Sequence, residues 1–145
     1  MYTNILLTSD GSELSETAIR TGIALAKSIN AKVTGFYAEH KPSLLAYGAY
    51  AETGDVDTAP PSKDELEHGE ENAAKQFLAV IEAAAKEVGV ACECFHHLAS
   101  HPYEAIIKAA EEKGCDLIVL VSHPLIVSET GKVLTHTKIP VLVYR

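Results

Sequence analysis

The chain has 145 residues, enough for one domain, and 12 basic against 20 acidic side chains give it a net charge of −8. This acidic balance argues against general binding to nucleic acid or anionic lipid, because both need clustered Lys or Arg. No stretch is long and apolar enough to cross a bilayer, and we expect no signal peptide in the first nine residues. Together with three cysteines, an odd number, these features predict a cytoplasmic protein with reduced thiols.

The first third of the chain alternates between strand and helix patterns. The apolar run Ile5-Leu6-Leu7 predicts a buried strand, which the turn residues Asp10-Gly11-Ser12 end. A helix follows, and Asn30 can end it in a left-handed conformation. Its apolar face recurs at spacings of three and four and consists of Leu14, Ala18, Gly22, Leu25 and Ile29. Residues 32–38 have the composition of a strand.

The remaining residues predict a long loop and a further series of helices and strands. Residues 40–61 contain several Pro and Gly and predict an irregular loop, of a length that often has a function. Ser62 and Glu65 match a capping box at the start of a long amphipathic helix that Gly89 ends. The elements after it are a strand over 90–98, a helix from Pro102 that Gly114 ends, a buried strand over 116–121, a helix over 128–137 and a last strand over Val141–Tyr144.

The order of these elements predicts the fold class. Strands that alternate with helices form a parallel sheet with helices on both faces, joined by right-handed crossovers. We therefore expect an α/β protein with a five-stranded doubly wound sheet, in which residues 1–145 form a single domain.

Three local patterns resemble the universal stress protein family, and they occur in the right order along nearly the whole chain. They are residues 4–12 with the Asp-Gly-Ser turn, residues 115–123, and residues 128–143. The resemblance implies a stress-response protein that forms a homodimer through its last strand, here Val141, Leu142, Val143 and Tyr144. Family members either bind ATP or act through contacts with a protein partner, and few have an established enzymatic activity. We expect at most a weak ATPase.

The resemblance also implies an adenine-nucleotide site at the carboxyl ends of the strands, where open α/β sheets bind ligands. Asp10 holds the position that contacts ribose or base, and the backbone near Ala38 holds the position that meets adenine. The implied ligand is AMP or ATP, the latter with Mg²⁺. The other residues of this site are Ser122, His123, Ser128 and Thr130.

The phosphate part of this site departs from the family pattern, which is Gly, two residues, Gly, nine residues, and Gly followed by Ser or Thr. Val121 and Pro124 stand at the first two glycine positions, the third glycine is missing, and the segment is about seven residues short. The gap falls either after His123 or after Leu125. Because glycine lets the backbone approach phosphate, and Pro124 lacks an amide, we expect weakened or lost ATP binding. The alternative is an ATP-binding switch with slow or no hydrolysis.

Plainer roles for two of these residues remain open, since Asp10 and Ser128 can each cap a helix. Cys92, Cys94 and His96 share one face of a predicted strand and suggest a metal site. However, Cys-x-Cys on a flat strand differs from the turn-borne cysteines of zinc sites, and a buried thiol commonly packs as a small apolar group. We expect no metal site, and without a Gly-x-Ser-x-Gly elbow we expect no catalytic residue.

Overall fold

A computed structural model describes residues 1–9, 16–40, 63–121 and 128–144 of the chain. The strands and helices within these ranges, in chain order, are β1 (Asn4–Ser9), α1 (Glu16–Ser28), β2 (Lys32–His40), α2 (Lys63–Val88), β3 (Cys92–Ala99), α3 (Pro102–Glu112), β4 (Leu117–Val121), α4 (Ser128–His136) and β5 (Val141–Tyr144). All five strands are parallel and lie in the order β3-β2-β1-β4-β5. The predicted doubly wound α/β sheet is confirmed. The turn at residues 10–12, residues 41–61 of the predicted loop and the capping residue Ser62 lie outside the described residues. His40, the first residue of the predicted loop, is instead the last residue of β2.

Three helices end in the same way, at the residues that the sequence indicated. Asn30, Gly89 and Gly114 have positive φ values of 57°, 73° and 66°. After each of them, the next amide bonds the carbonyl five residues earlier, as Val90 bonds Ala85 at 2.9 Å. This helix end uses Val90, so β3 begins at Cys92, two residues later than predicted. Strand β2 continues to His40, two residues further than predicted.

Each face of the sheet has its own apolar core. One core lies between the sheet and helices α1 and α2, and its fully buried members include Ile19, Phe77 and Val119. The other lies against α3 and α4 and includes Phe36, Ile106 and Ile118. The central strands β1 and β4 supply side chains to both cores, which explains the continuous apolar run of β4. Within the described ranges, no helix is both long and apolar enough to cross a membrane.

Candidate functional site

The fold has its topological switch point between β1 and β4. These strands are neighbours, and Ser9 is paired with Val121 at their carboxyl ends. From β1 the chain proceeds to β2 and β3 on one side, whereas β4 is followed by β5 on the other. A crevice at such a point is where open α/β sheets bind ligands. The predicted site residues Asp10, Ser122 and His123 follow these strand ends and lie outside the described residues.

Strand β2 extends past β1 at this edge of the sheet. The ladder between β1 and β2 ends with the pair Leu7–Gly35, whereas β2 stays paired with β3 as far as His40. Ala38 lies in this extension, and its methyl group packs in the core beside α3. The backbone at Ala38 therefore stands beyond the last β1–β2 pair, on the side of the crevice.

Helix α4 begins at Ser128, after β4 ends at Val121, so that six residues connect them. Thr130 is buried in the first turn of α4. Beside it, the Glu129 carboxylate accepts a hydrogen bond from the Tyr103 amide at 3.1 Å, and its other oxygen lies 3.3 Å from Lys132 Nζ. The structure thus fixes a negative charge at the N-terminus of α4 and ties that end to the first turn of α3, which the sequence did not indicate.

An acid–base pair with a buried carboxylate lies one residue beyond Ala38. Glu39 is buried, and its Oε1 contacts Nδ1 of His96 on the neighbouring strand β3. Because strand side chains alternate, this pair lies on the face of α2, opposite to the methyl group of Ala38. Pairing with His96 satisfies a carboxylate that would otherwise be costly to bury.

The predicted alignment of Cys92, Cys94 and His96 on one face of β3 is present, but the three side chains do not converge. The two thiols approach each other with an Sγ–Sγ distance of 3.6 Å, while His96 contacts Glu39. Among the described residues, no group of three or more His, Cys, Asp or Glu side chains is arranged to hold a metal ion.

The last strand forms an edge of the sheet. β5 pairs with β4, and three of its residues are half-buried while Leu142 is 37% exposed. The Pro140 carbonyl accepts the Ile118 amide at 2.9 Å in the register Ile118–Val141. Because backbone groups alternate in direction along a strand, the amides of Val141 and Val143 point away from β4.

The sequence profile of the universal stress protein family matches residues 1–145. This chain belongs to the universal stress protein family. Solved structures of universal stress proteins have the same fold. One from Burkholderia pseudomallei is 23% identical, covers 99% of this chain and 96% of its own, and has a TM-score of 0.74. No curated protein matches the chain.

Two further universal stress protein structures contain nucleotides. The protein from Archaeoglobus fulgidus in complex with dAMP is 16% identical, covers 99% of this chain and 98% of its own, and has a TM-score of 0.68. A universal stress protein in complex with cAMP is 22% identical, covers 99% and 97% of the two chains, and has a TM-score of 0.67. At these identities the similarity shows the fold alone.

Proposed function

We propose that this universal stress protein acts in the cytoplasmic stress response as a homodimer that contacts protein partners, with its triphosphate site weakened or lost. The observation that carries the proposal is the connection between β4 and α4. It has six residues, none of them glycine, and includes Pro124. The whole chain acts as one domain in this proposal, with at most weak ATPase activity.

The length of this connection limits how it can hold phosphates. In the family pattern that the sequence resembles, two glycines and a long segment precede the Ser or Thr that starts the helix. Here Val121 takes the first glycine position and is buried in the core. A side chain at these positions restricts close approach of the backbone to phosphate, and Pro124 has no amide to donate. We infer that the γ- and β-phosphates of ATP lose most of their hydrogen-bond partners.

The charge at the start of α4 acts in the same direction. A helix N-terminus attracts anions because free amides and the helix dipole face them. Glu129 already places a carboxylate in this turn, and its bonds to Tyr103 and Lys132 hold it there. The Glu129 carboxylate would repel a triphosphate bound at the same turn, whereas it would not repel an uncharged nucleoside.

Binding of the adenosine part of the ligand is better supported than binding of its phosphates. The backbone at Ala38 lies beyond the last β1–β2 pair, on the side of the crevice, and Asp10 follows β1 at the neighbouring strand end. Nucleoside monophosphates are bound in the dAMP and cAMP complexes of structurally similar proteins. We therefore propose residual binding of adenosine or AMP through Asp10 and Ala38. In this proposal Ser122, His123, Ser128 and Thr130 contribute little.

One observation favours the second candidate function, an ATP-binding switch. Ser128 is the first residue of a nine-residue helix, and such a helix start can present amides to one phosphate. Titration of adenosine, AMP and ATP into nucleotide-free protein separates the two candidates. The proposal predicts that affinity does not rise along this series. An affinity for ATP tenfold or more above that for AMP would favour the switch. If none of the three ligands binds, the proposed adenosine site is contradicted.

The homodimer is proposed to form across β5. The outward amides of Val141 and Val143 suit pairing with the same strand of a second chain, and the exposed Leu142 side chain would gain burial. Val143→Pro removes an outward amide without breaking a β4–β5 hydrogen bond. Val143→Ala keeps the amide and is the matched control. In sedimentation the proline variant should be monomeric and the alanine variant dimeric. A monomeric wild type, or a dimeric proline variant, would contradict this interface.

A further inference from the structure

Two of the three cysteines lie side by side on strand β3. Cys92 and Cys94 are half-buried on the face that packs against α2, with their sulfur atoms 3.6 Å apart. Cys94 Sγ also lies 3.9 Å from the Leu78 carbonyl oxygen of α2. The third cysteine, Cys115, is buried in the core on the opposite face of the sheet. The pair is therefore separate from the third thiol and from the crevice between β1 and β4.

A glycine on the neighbouring strand makes room for this pair. Gly35 of β2 is paired in register with Cys94. A Cβ atom at position 35 would lie 2.6 Å from Cys94 Sγ and 3.3 Å from a side-chain carbon of Ile81. No real Cβ atom tolerates the first distance, so the missing side chain at Gly35 is what lets Cys94 occupy its place beside Cys92.

The two thiols differ in how readily they ionise. The contact with the Cys94 sulfur lowers the pKa of Cys92, although burial and the nearby Glu82 oppose this effect. The same contact, together with burial, raises the pKa of Cys94. Because the thiolate is the nucleophilic form of cysteine, the lowered pKa favours Cys92 as the first sulfur to react, and the Cys94 sulfur lies 3.6 Å away from it.

We propose that Cys92 and Cys94 form an intramolecular disulfide when the protein meets a hydroperoxide, which makes β3 a reversible oxidation site. The Cys92 thiolate attacks the peroxide, the O–O bond breaks, and the products are a sulfenic acid on Cys92 and an alcohol or water after proton uptake. The Cys94 sulfur then attacks the sulfenic sulfur and expels water. In total the two thiols lose two electrons and two protons, and the two oxygen atoms of the peroxide take them up.

The position of the pair in the sheet allows this bond to form and to open again. Residues two apart on a strand have Cα atoms about 6.6 Å apart, close to the upper limit of about 6.8 Å for disulfides. Bringing the sulfurs to bonding distance therefore requires β3 to shorten locally. β3 is an edge strand that pairs with β2, and Cys92 is its first residue, so the movement disturbs the end of one ladder. Such a disulfide is readily reduced by small thiols.

The test treats the full chain with hydrogen peroxide and counts free thiols after denaturation. The expected result is a fall from three thiols to one, with a mass loss of two hydrogen atoms, and dithiothreitol should reverse both changes. Cys92→Ser and Cys94→Ser should each abolish this change. Cys115→Ser is the matched control and should still lose two thiols.

Peptide mapping of the oxidised wild type decides the question without any variant. A peptide in which Cys92 is linked to Cys94 supports the proposal. A link to Cys115, a link between two chains, or oxygen addition to Cys92 that dithiothreitol does not reverse would each overturn it. This inference does not depend on the proposed nucleotide site, since the thiol pair lies on a different strand and faces α2.

Discussion

Replacing Gly35 by alanine tests the packing between β2, β3 and α2. The added Cβ would meet Cys94 Sγ at 2.6 Å and Ile81 at 3.3 Å, so the neighbouring side chains must move. Overpacking of this kind costs about 1–3 kcal/mol. The substitution also removes the conformational freedom of glycine in the unfolded chain, which stabilises the fold by about 0.5–1 kcal/mol. We therefore expect Gly35→Ala to lower the free energy of unfolding by about 1–2 kcal/mol.

A second substitution shows whether the sulfur atom causes the loss. In a Cys94→Ala background the nearest clashing atom is absent, so Gly35→Ala should be neutral or stabilising there. The coupling energy between the two positions should be about 1–3 kcal/mol, which exceeds the usual error of such cycles. Gly69→Ala is the control, because nothing lies within 4 Å of a Cβ at this exposed position of α2. It should stabilise the protein by about 0.5–1 kcal/mol.

The assay is urea unfolding at one fixed protein concentration. Any contribution of dimerisation to the apparent stability is then the same for every variant. A loss of 1–2 kcal/mol lowers the midpoint by roughly 0.5–1 M urea if the slope is unchanged. Equal stability of Gly35→Ala and the wild type would refute the close contact. Simple addition of the two single effects in the double variant would show that Cys94 is not the atom that the new methyl group meets.

Two further predictions concern single carboxylates. Asp116 accepts hydrogen bonds from the Thr3 and Asn4 amides and from the Thr3 hydroxyl. Burial raises the pKa of Asp116, but these hydrogen bonds together outweigh it and lower the pKa below its ordinary 3.8. Its contribution to stability should therefore be present above that value and be lost as the pH falls through the lower folded pKa. Asp116→Asn should destabilise the protein at pH 6 and differ least from the wild type near pH 2, as followed by urea unfolding; a difference that does not change with pH would contradict this. Asp10→Ala should weaken AMP binding several-fold in calorimetry with little change in melting temperature, whereas a large fall in melting temperature without a ligand effect would assign Asp10 to helix capping.

Most of the fold could be predicted because its determinants are local. The continuous apolar run of β4 indicates burial on both faces, and Asn30, Gly89 and Gly114 supply the left-handed residue that ends a helix. The proline at the start of α3 is likewise where the sequence indicated. Errors of one or two residues occurred where one element continues into the next, as between Gly89 and Cys92.

The contacts around the candidate site could not be predicted because they depend on register and on distant residues. Glu39 meets His96 only because β2 continues past Ala38 in register with β3. The hydrogen bond from the Tyr103 amide to Glu129 joins residues that are 26 positions apart. The sequence separation of the two residues in either pair does not predict their contact.

The same limit applies to the thiol pair. Alternation along a strand predicts that Cys92 and Cys94 share a face. The sulfur–sulfur distance of 3.6 Å, however, also depends on the glycine opposite them on β2. The sequence therefore indicates the face on which the cysteines lie but not their approach to each other.

The shortened connection between β4 and α4 is the centre of the functional proposal, and calorimetric titration of ATP tests it most directly. The protein must be free of nucleotide, and its intact mass must match the 145-residue sequence. The proposal predicts no binding of ATP beyond that of adenosine, even at millimolar concentration. Micromolar binding of ATP with Mg²⁺ that is at least about tenfold tighter than that of adenosine would contradict it, because the six residues between Val121 and Ser128 would then suffice to hold the phosphates.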